Sequence, residues 1–117
     1  MKYMLLLYAD ESIELNTPEE QQAVAPESWY ALMKEMKDAG AFLSNNGLAP
    51  VANATTMRVR DGKALITDGP FAETHEQLGG FFLLECKDLD EALRWAEKIP
   101  HAKYGSVEVR PVWSEGI

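Results

Sequence analysis

Asp68 and His75 are the two side chains whose types and spacing best suit acid–base chemistry in this sequence. A rigidly held carboxylate can serve as a general base, and a histidine with a carboxylate nearby is suited to proton transfer near neutral pH. We therefore predict that Asp68 is the base or orienting group and that His75 carries the proton. Two plainer interpretations stay open. The segment Asp68-Gly69-Pro70 is also a typical turn former, and His75 could be a solvated loop histidine.

Four side chains between residues 68 and 76 are of types that can bind a metal ion. They are Asp68, Glu73, His75 and Glu76, but their spacing matches no standard zinc motif. The sequence contains neither a Gly-x-Gly-x-x-Gly loop nor a Gly-Lys-Ser/Thr loop for nucleotides. Cys86 has an acidic and apolar context that would not stabilise a thiolate. We therefore predict no metal, no cofactor and no cysteine nucleophile.

Four further residues form the predicted ligand-binding set: Arg110, Glu108, Tyr8 and Phe71. Glu108 and Arg110 alternate with valines and therefore share one face of a strand. Arg110 could bind a substrate carboxylate with both ends of its guanidinium group, and the Tyr8 hydroxyl could hydrogen-bond a ligand. The alternatives are a cross-strand salt bridge for Glu108 and Arg110, and simple space filling for Tyr8. The second histidine, His101, is predicted to lie on the surface.

Alternating strands and helices must position these residues. Apolar periodicity and breaker residues predict four strands, at 3–9, 41–47, 79–86 and 106–112. They also predict a helix at 26–39, a second helix between Asp88 and Pro100, and a helix start near Thr17. Two further strands, at 56–60 and 63–67, are predicted to form a hairpin. This order predicts an α+β fold, a ferredoxin-like split βαβ sheet with an inserted hairpin and two helices on one face.

Three local patterns make more specific predictions. The dipeptide Asp61-Gly62 between alternating runs predicts a two-residue turn that pairs Arg60 with Lys63. Asp88 and Glu91 have the spacing of a capping box at a helix start. The apolar face of the hairpin is predicted to be Met57, Val59, Ala64 and Ile66. The core-facing stripe of the last helix is predicted to be Leu89, Ala92, Leu93 and Ala96.

The strands at 3–9 and 79–86 are apolar on both faces, yet two helices cover only one face of such a sheet. The other face would expose more than the roughly 300–600 Å² of contiguous apolar surface usual for a monomer. We therefore predict a homodimer that pairs sheet against sheet, with a small organic ligand bound between the sheets. The alternative is that the loops before the first helix and after Gly47 cover this face.

Composition narrows the class of protein. A chain of 117 residues is one domain, residues 1–117. A net charge of −8, without any cluster of Lys and Arg, argues against nucleic acid and anionic membranes as partners. A single cysteine allows no internal disulfide and predicts a cytoplasmic location. The apolar run at residues 3–9 is too short to span a bilayer.

Four stretches of this chain resemble the DGPF-domain proteins, a branch of the YCII-related family. The central one is Thr67-Asp68-Gly69-Pro70-Phe71-Ala72-Glu73-Thr74, and the others are residues 2–8, 77–81 and 105–111. The resemblance implies ferredoxin-like protomers that pair as dimeric α+β barrels. Related barrels include isomerases, cofactor-free oxygenases and dehalogenating lyases acting on small ring compounds, and DGPF-type proteins are often linked to extracytoplasmic-function sigma factors.

The resemblance is incomplete at the site. YCII-related proteins proper carry a His–Asp pair with the histidine in the first helical region, where this chain has Trp29-Tyr30 and no histidine. His75 stands where many family members have Lys. We expect a small cofactor-independent lyase or isomerase that transfers a proton on a small organic substrate, an anionic one if Arg110 binds it. The alternative is a non-catalytic ligand sensor, or an accessory protein that docks a regulatory partner such as a sigma factor.

Overall fold

The computed structural model describes residues 1–113 and consists of one main sheet, a separate hairpin and four helices in that range. In chain order the elements are β1 (Lys2–Ala9), α1 (Pro18–Ala23), α2 (Pro26–Asp38), β2 (Phe42–Gly47), a 3-10 turn (Val51–Asn53), β3 (Thr55–Arg60), β4 (Lys63–Asp68), β5 (Gln77–Glu85), α3 (Leu89–Glu97), α4 (His101–Tyr104) and β6 (Ser106–Pro111). The antiparallel main sheet has the strand order β2-β5-β1-β6. The predicted ferredoxin-like fold with an inserted hairpin is confirmed.

The core lies between one face of the main sheet and the helices α2 and α3. Its buried members are Tyr3, Leu5, Leu7, Leu32, Met36, Phe82, Leu84, Cys86, Ala92, Ala96 and Ile99. Leu5 and Leu84 are completely buried, and each such side chain contributes about 2 kcal/mol of hydrophobic stabilisation. Residues on the opposite face of the central strands, such as Met4 and Leu83, are only half-buried.

Helix α2 follows the predicted pattern closely. Pro26 occupies its first turn, where the missing N–H is harmless. Leu32 and Met36 are buried on the face that meets the sheet. The helix ends at Asp38, before Gly40, which has a positive φ of 72°. Across residues 1–113, no helix is both long enough and apolar enough to cross a bilayer.

Helix α3 corrects one prediction and refines another. The Asp88 carboxylate accepts the Glu91 N–H at 2.9 Å, as predicted, but the Glu91 carboxylate accepts the Lys87 N–H rather than that of Asp88. Leu89 and Leu93 do not face the core, because each is 47% exposed. The other two residues of the predicted stripe, Ala92 and Ala96, are buried in the core as predicted, and the buried Ile99 belongs to the same core cluster.

Strands β3 and β4 form an arm, residues 55–68, that stands apart from the main sheet. The turn adopts positive φ at Asp61 (52°) and Gly62 (73°), and the predicted register, with Arg60 opposite Lys63, is confirmed. The Gly69 N–H donates to the Ala54 carbonyl at 2.7 Å and closes the base of the arm. Every arm residue except Thr56 is exposed, so the predicted apolar face has no cover within the described chain.

Gly105 joins α4 to β6 at a point where two backbones nearly touch. A Cβ built there would overlap the Tyr8 carbonyl oxygen and lie 3.0 Å from the Ala9 Cα. This close approach fixes the end of α4 against the end of β1.

We expect Gly105→Ala to lower the free energy of unfolding by about 3 kcal/mol, because overpacking against backbone cannot relax cheaply. Urea denaturation followed by tryptophan fluorescence measures this change. The matched control is Gly47→Ala, where a Cβ meets no atom within 4 Å, with an expected loss below about 0.5 kcal/mol. Equal stability of the two variants would contradict the prediction.

Candidate functional site

A cavity of about 240 Å³ opens where α2, α4 and the paired ends of β2 and β5 meet. We call it the His101 cavity. Trp29 of α2 and Phe82 of β5 form an aromatic wall, their rings stacked with centroids 6.2 Å apart and planes 21° apart. Asn45 of β2, which pairs with Phe82 and shares its face of the sheet, adds one side-chain amide. An aromatic wall with a few polar groups is the usual lining of a small-molecule site.

His101 is half-buried in this cavity, contrary to the prediction that it lies on the surface. Its ring lies 5.9 Å from the Trp29 ring and 5.3 Å from the Tyr104 ring, centroid to centroid. Its Nδ1 atom is fully buried, and no hydrogen-bond partner exists for it among the described residues. Burial lowers the pKa of His101, so the imidazole is neutral at neutral pH and can accept a proton.

The two adjacent glycines of β5 shape the other side of the cavity. A Cβ at Gly80 would stand 2.8 Å from the Asn46 carbonyl oxygen, so only glycine lets β5 run this close to β2. The Asn45 and Asn46 side chains make no hydrogen bond to another described residue. The amide N–H groups of Asn45, on the cavity side of β2, are therefore free to donate to a ligand oxygen.

A second, acidic cavity of about 340 Å³ shares Gly79 and His101 with the first. Asp10 and Glu11 lie in its lining. The Asp10 carboxylate accepts the Ser12 hydroxyl at 2.6 Å and the Ser12 N–H at 2.9 Å. These hydrogen bonds lower the pKa of Asp10, and the charge of His75 lowers it further by a smaller amount. His101 thus lines both the aromatic cavity and a second cavity that has Asp10 and Glu11 in its lining.

The structure does not join Asp68 to His75 in the single chain. Asp68 ends β4 at the base of the arm, and His75 lies in the following loop; both are exposed. Within residues 1–113, neither a hydrogen bond nor an ion pair connects them. Gly69 adopts a φ of 93°, and its carbonyl accepts the Thr56 hydroxyl at 2.8 Å. These features agree with the turn interpretation, and the catalytic roles of both residues stay predictions.

The predicted ligand-binding residues lie away from the His101 cavity. Arg110 and Glu108 face away from the core, as expected, and form an ion pair with each other along β6 rather than across strands. Tyr8 is half-buried beside an irregularity in the pairing of β1 with β5, and Phe71 is 75% exposed. None of these four residues lines the His101 cavity, so their ligand-binding roles stay predictions.

Neither a metal site nor a reactive thiol is found among the described residues. In the part of the chain that the structure describes, no three His, Cys, Asp or Glu side chains are placed to hold a metal ion. Cys86 is buried, and this burial, with smaller effects of nearby carboxylates, raises the pKa of its thiol to about 11. The thiol is therefore protonated at neutral pH and is a poor nucleophile.

The sheet order, the helices on one face and the inserted hairpin define a ferredoxin-like α+β fold. The family model described as YCII-related domain matches residues 1–115, and the chain belongs to that family. The predicted family is thereby confirmed.

Two known proteins are similar to this chain. One is the uncharacterized protein R00369 of Rhizobium meliloti (strain 1021), which is 39% identical over 114 residues, 96% of this chain and 92% of that protein. The other is a solved structure of 5-chloro-2-hydroxyhydroquinone dehydrochlorinase (TftG) from Burkholderia phenoliruptrix AC1100 in complex with 2,5-dihydroxybenzoquinone. The two structures superpose with a TM-score of 0.51 at 13% sequence identity, and the match covers 97% of this chain and 94% of the dehydrochlorinase chain. This likeness shows the shared fold.

We expect the lowered pKa of His101 to make stability depend on pH. In the unfolded chain His101 takes up a proton near its ordinary pKa of 6.5, whereas in the folded chain it does so only at lower pH. The free energy of unfolding therefore falls as pH falls from about 6.5 through the lowered pKa. Denaturant titrations at several pH values measure this decline, and His101→Gln should reduce it. The control His75→Gln, at an exposed residue, should leave it unchanged; equal effects of both variants would contradict the assignment.

Proposed function

We propose that this chain is a small lyase or isomerase that transfers a proton on a small organic molecule bound in the His101 cavity. The observation that carries the proposal is the buried Nδ1 of His101, which lacks a described partner and belongs to a ring whose pKa is lowered. Burying an unpaired polar atom costs about 1–3 kcal/mol, so packing alone does not explain a histidine at this position. A neutral imidazole can act as a general base without a cofactor.

Each lining group has a chemical task in this proposal. His101 accepts a proton from the substrate. In an isomerisation it returns that proton to another atom, and in an elimination the electron pair of the broken bond expels the leaving group while the proton passes to water. The Asn45 amide donates a hydrogen bond to the oxygen that gains negative charge. Trp29, which packs on the buried Phe82, stacks against a planar substrate.

The charges near the cavity favour a neutral substrate. The His101 cavity has no Lys or Arg in its described lining, and Asp10 and Glu11 lie in the neighbouring cavity. Carboxylates this close repel an anion. We therefore propose a hydroxylated ring compound rather than the carboxylic acid that a role for Arg110 would suggest. The likeness to a dehydrochlorinase of a hydroxylated ring compound supports this substrate class.

We expect hydroquinone to raise the melting temperature of the wild-type protein, and benzoate at equal concentration to leave it unchanged. Ligand binding to the folded state alone stabilises it, by about 2.7 kcal/mol at a hundred times Kd. His101→Gln should abolish this shift, whereas His75→Gln, the matched variant at the only other histidine, should retain it. A shift produced by benzoate and lost in Arg110→Gln would overturn the neutral-substrate proposal.

For any ring compound that is turned over, we expect His101→Gln to lower kcat/KM by about 1,000-fold, the usual contribution of a general base. Proton NMR in D2O measures turnover and solvent exchange together. Asp68→Asn tests the competing prediction from the sequence. If Asp68→Asn abolishes turnover while His101→Gln does not, the site lies at Asp68 and the proposal is wrong. Binding at His101 without turnover of any bound compound would make the protein a sensor.

A further inference from the structure

The His101 cavity and the second cavity meet on strand β5. Gly79 and His101 line both of them. The first holds about 240 Å³ and the second about 340 Å³. Small-molecule pockets span roughly 300–1,000 Å³, so each cavity alone is small for such a site, while the two together lie well within that range. A ligand that fills the His101 cavity can therefore extend past Gly79 into the second cavity.

Gly79 is a glycine that the local structure does not require. It is the extra residue of a β-bulge, because Leu7 of β1 pairs with Gly80 and the next residue, Tyr8, pairs with Leu78. Its φ is not positive. Among the described residues, a Cβ at Gly79 would meet only the Leu7 carbonyl oxygen, at an ordinary distance of 3.9 Å. Bulges and strand glycines often mark a place where a ligand approaches the backbone. The bare backbone here leaves the passage between the cavities open.

The second cavity has apolar sides and two carboxylates. Both hydrogen bonds from Ser12 reach the same oxygen of Asp10, Oδ1, and the Glu11 carboxylate accepts the Val51 N–H through Oε2 at 3.1 Å. The other oxygen of each carboxylate receives no hydrogen bond from residues 1–113 and can accept one from a ligand. The apolar lining consists of Ala9, Ile13, Leu15, Leu48, Pro50 and the Tyr104 ring.

No cation of the described chain balances these two carboxylates. Neither takes part in an ion pair within residues 1–113, and the described lining of both cavities contains neither Lys nor Arg. The lowered pKa of Asp10 keeps it ionised at neutral pH, where His101 is neutral and does not repel a cation. A carboxylate accepts its strongest hydrogen bonds from cationic N–H donors. A protonated amine therefore suits this cavity best.

We propose that the second cavity binds a protonated amino group of the substrate, which is then a hydroxylated ring compound with a short aminoalkyl side chain. The ring occupies the His101 cavity, as in the proposed function, on which this inference rests. The side chain passes Gly79, and the amine donates hydrogen bonds to Asp10 and Glu11. These two carboxylates determine specificity and take no part in the proton transfer, which belongs to His101.

Isothermal titration calorimetry of the wild-type protein at pH 7 tests the inference with matched phenols. Tyramine carries the ammonium group, tyrosol carries a hydroxyl group in its place, and desaminotyrosine carries a carboxylate on a side chain of similar length. We expect tyramine to bind at least about tenfold more tightly than tyrosol, because hydrogen bonds between charged groups are the stronger ones. Desaminotyrosine should bind more weakly than either compound.

Equal affinities for tyramine and tyrosol would overturn the inference. Hydroquinone has no side chain, so its binding tests the proposed function separately. If hydroquinone binds and tyramine has no advantage over tyrosol, only the inference about the second cavity fails. If neither hydroquinone nor tyramine binds, the inference and the proposed function both fail.

A double variant tests the two carboxylates directly. Asp10→Asn/Glu11→Gln removes both charges but keeps a side-chain oxygen for each existing hydrogen bond, and it should bring the tyramine and tyrosol affinities within about twofold of each other. The control Glu27→Gln/Glu97→Gln makes the same change in net charge at exposed residues of α2 and α3. It should keep the preference for tyramine, because salt screens distant charges. An equal loss of preference in both double variants would contradict the assignment.

Nuclear Overhauser contacts in the complex of wild-type protein with tyramine give the orientation of the ligand without any variant. The methylene protons beside the amine are expected to contact the methyl groups of Ile13 and Leu48, which line the second cavity. The ring protons are expected to contact the Trp29 indole of the His101 cavity. The reverse orientation, with the amine end at Trp29, would overturn the inference even if tyramine binds tightly.

Discussion

A single constraint underlies this structure: the central strands β1 and β5 are apolar on both faces, while the helices cover only one face. On the covered face, α2 and α3 bury Leu5, Phe82 and Leu84 in a conventional core. On the other face, Met4 and Leu83 stay half-exposed although they have the same chemistry. The hydrophobic effect does not distinguish between the two faces. The number of helices decides which face becomes core and which becomes available for association.

The same arrangement explains how the cavity forms. The cavity lies at the paired ends of β2 and β5, and His101 of the single-turn helix α4 also lines it. The imidazole fills space that an apolar side chain could fill more cheaply, because its Nδ1 is buried without a described partner. Close backbone packing at Gly80 and Gly105 holds both sides of this end in place. The polar group is thus fixed by rigid elements, as a binding site requires.

Local patterns in the sequence were sufficient for most of the fold. Asp61-Gly62 determines the arm register because both residues must adopt positive φ, and the apolar spacing of α2 determines its buried side. The site was harder to predict, because His101 meets Trp29 only through tertiary packing and α4 is too short to show any periodicity. Leu89 was assigned to the core incorrectly, because helical spacing alone does not say which neighbouring small residues face the sheet.

The pairing of the strands also determines the order in which the chain can fold. β1 pairs with β5 and β6, so the first strand has no partner until the last third of the chain is present. The arm pairs only with itself across two residues, and such hairpins form in about 1–10 μs. The pairing within the arm therefore does not depend on the rest of the chain being present. Arg58, Arg60 and Lys63 then act as gatekeepers, since charges beside an apolar strand oppose aggregation of the unfinished chain.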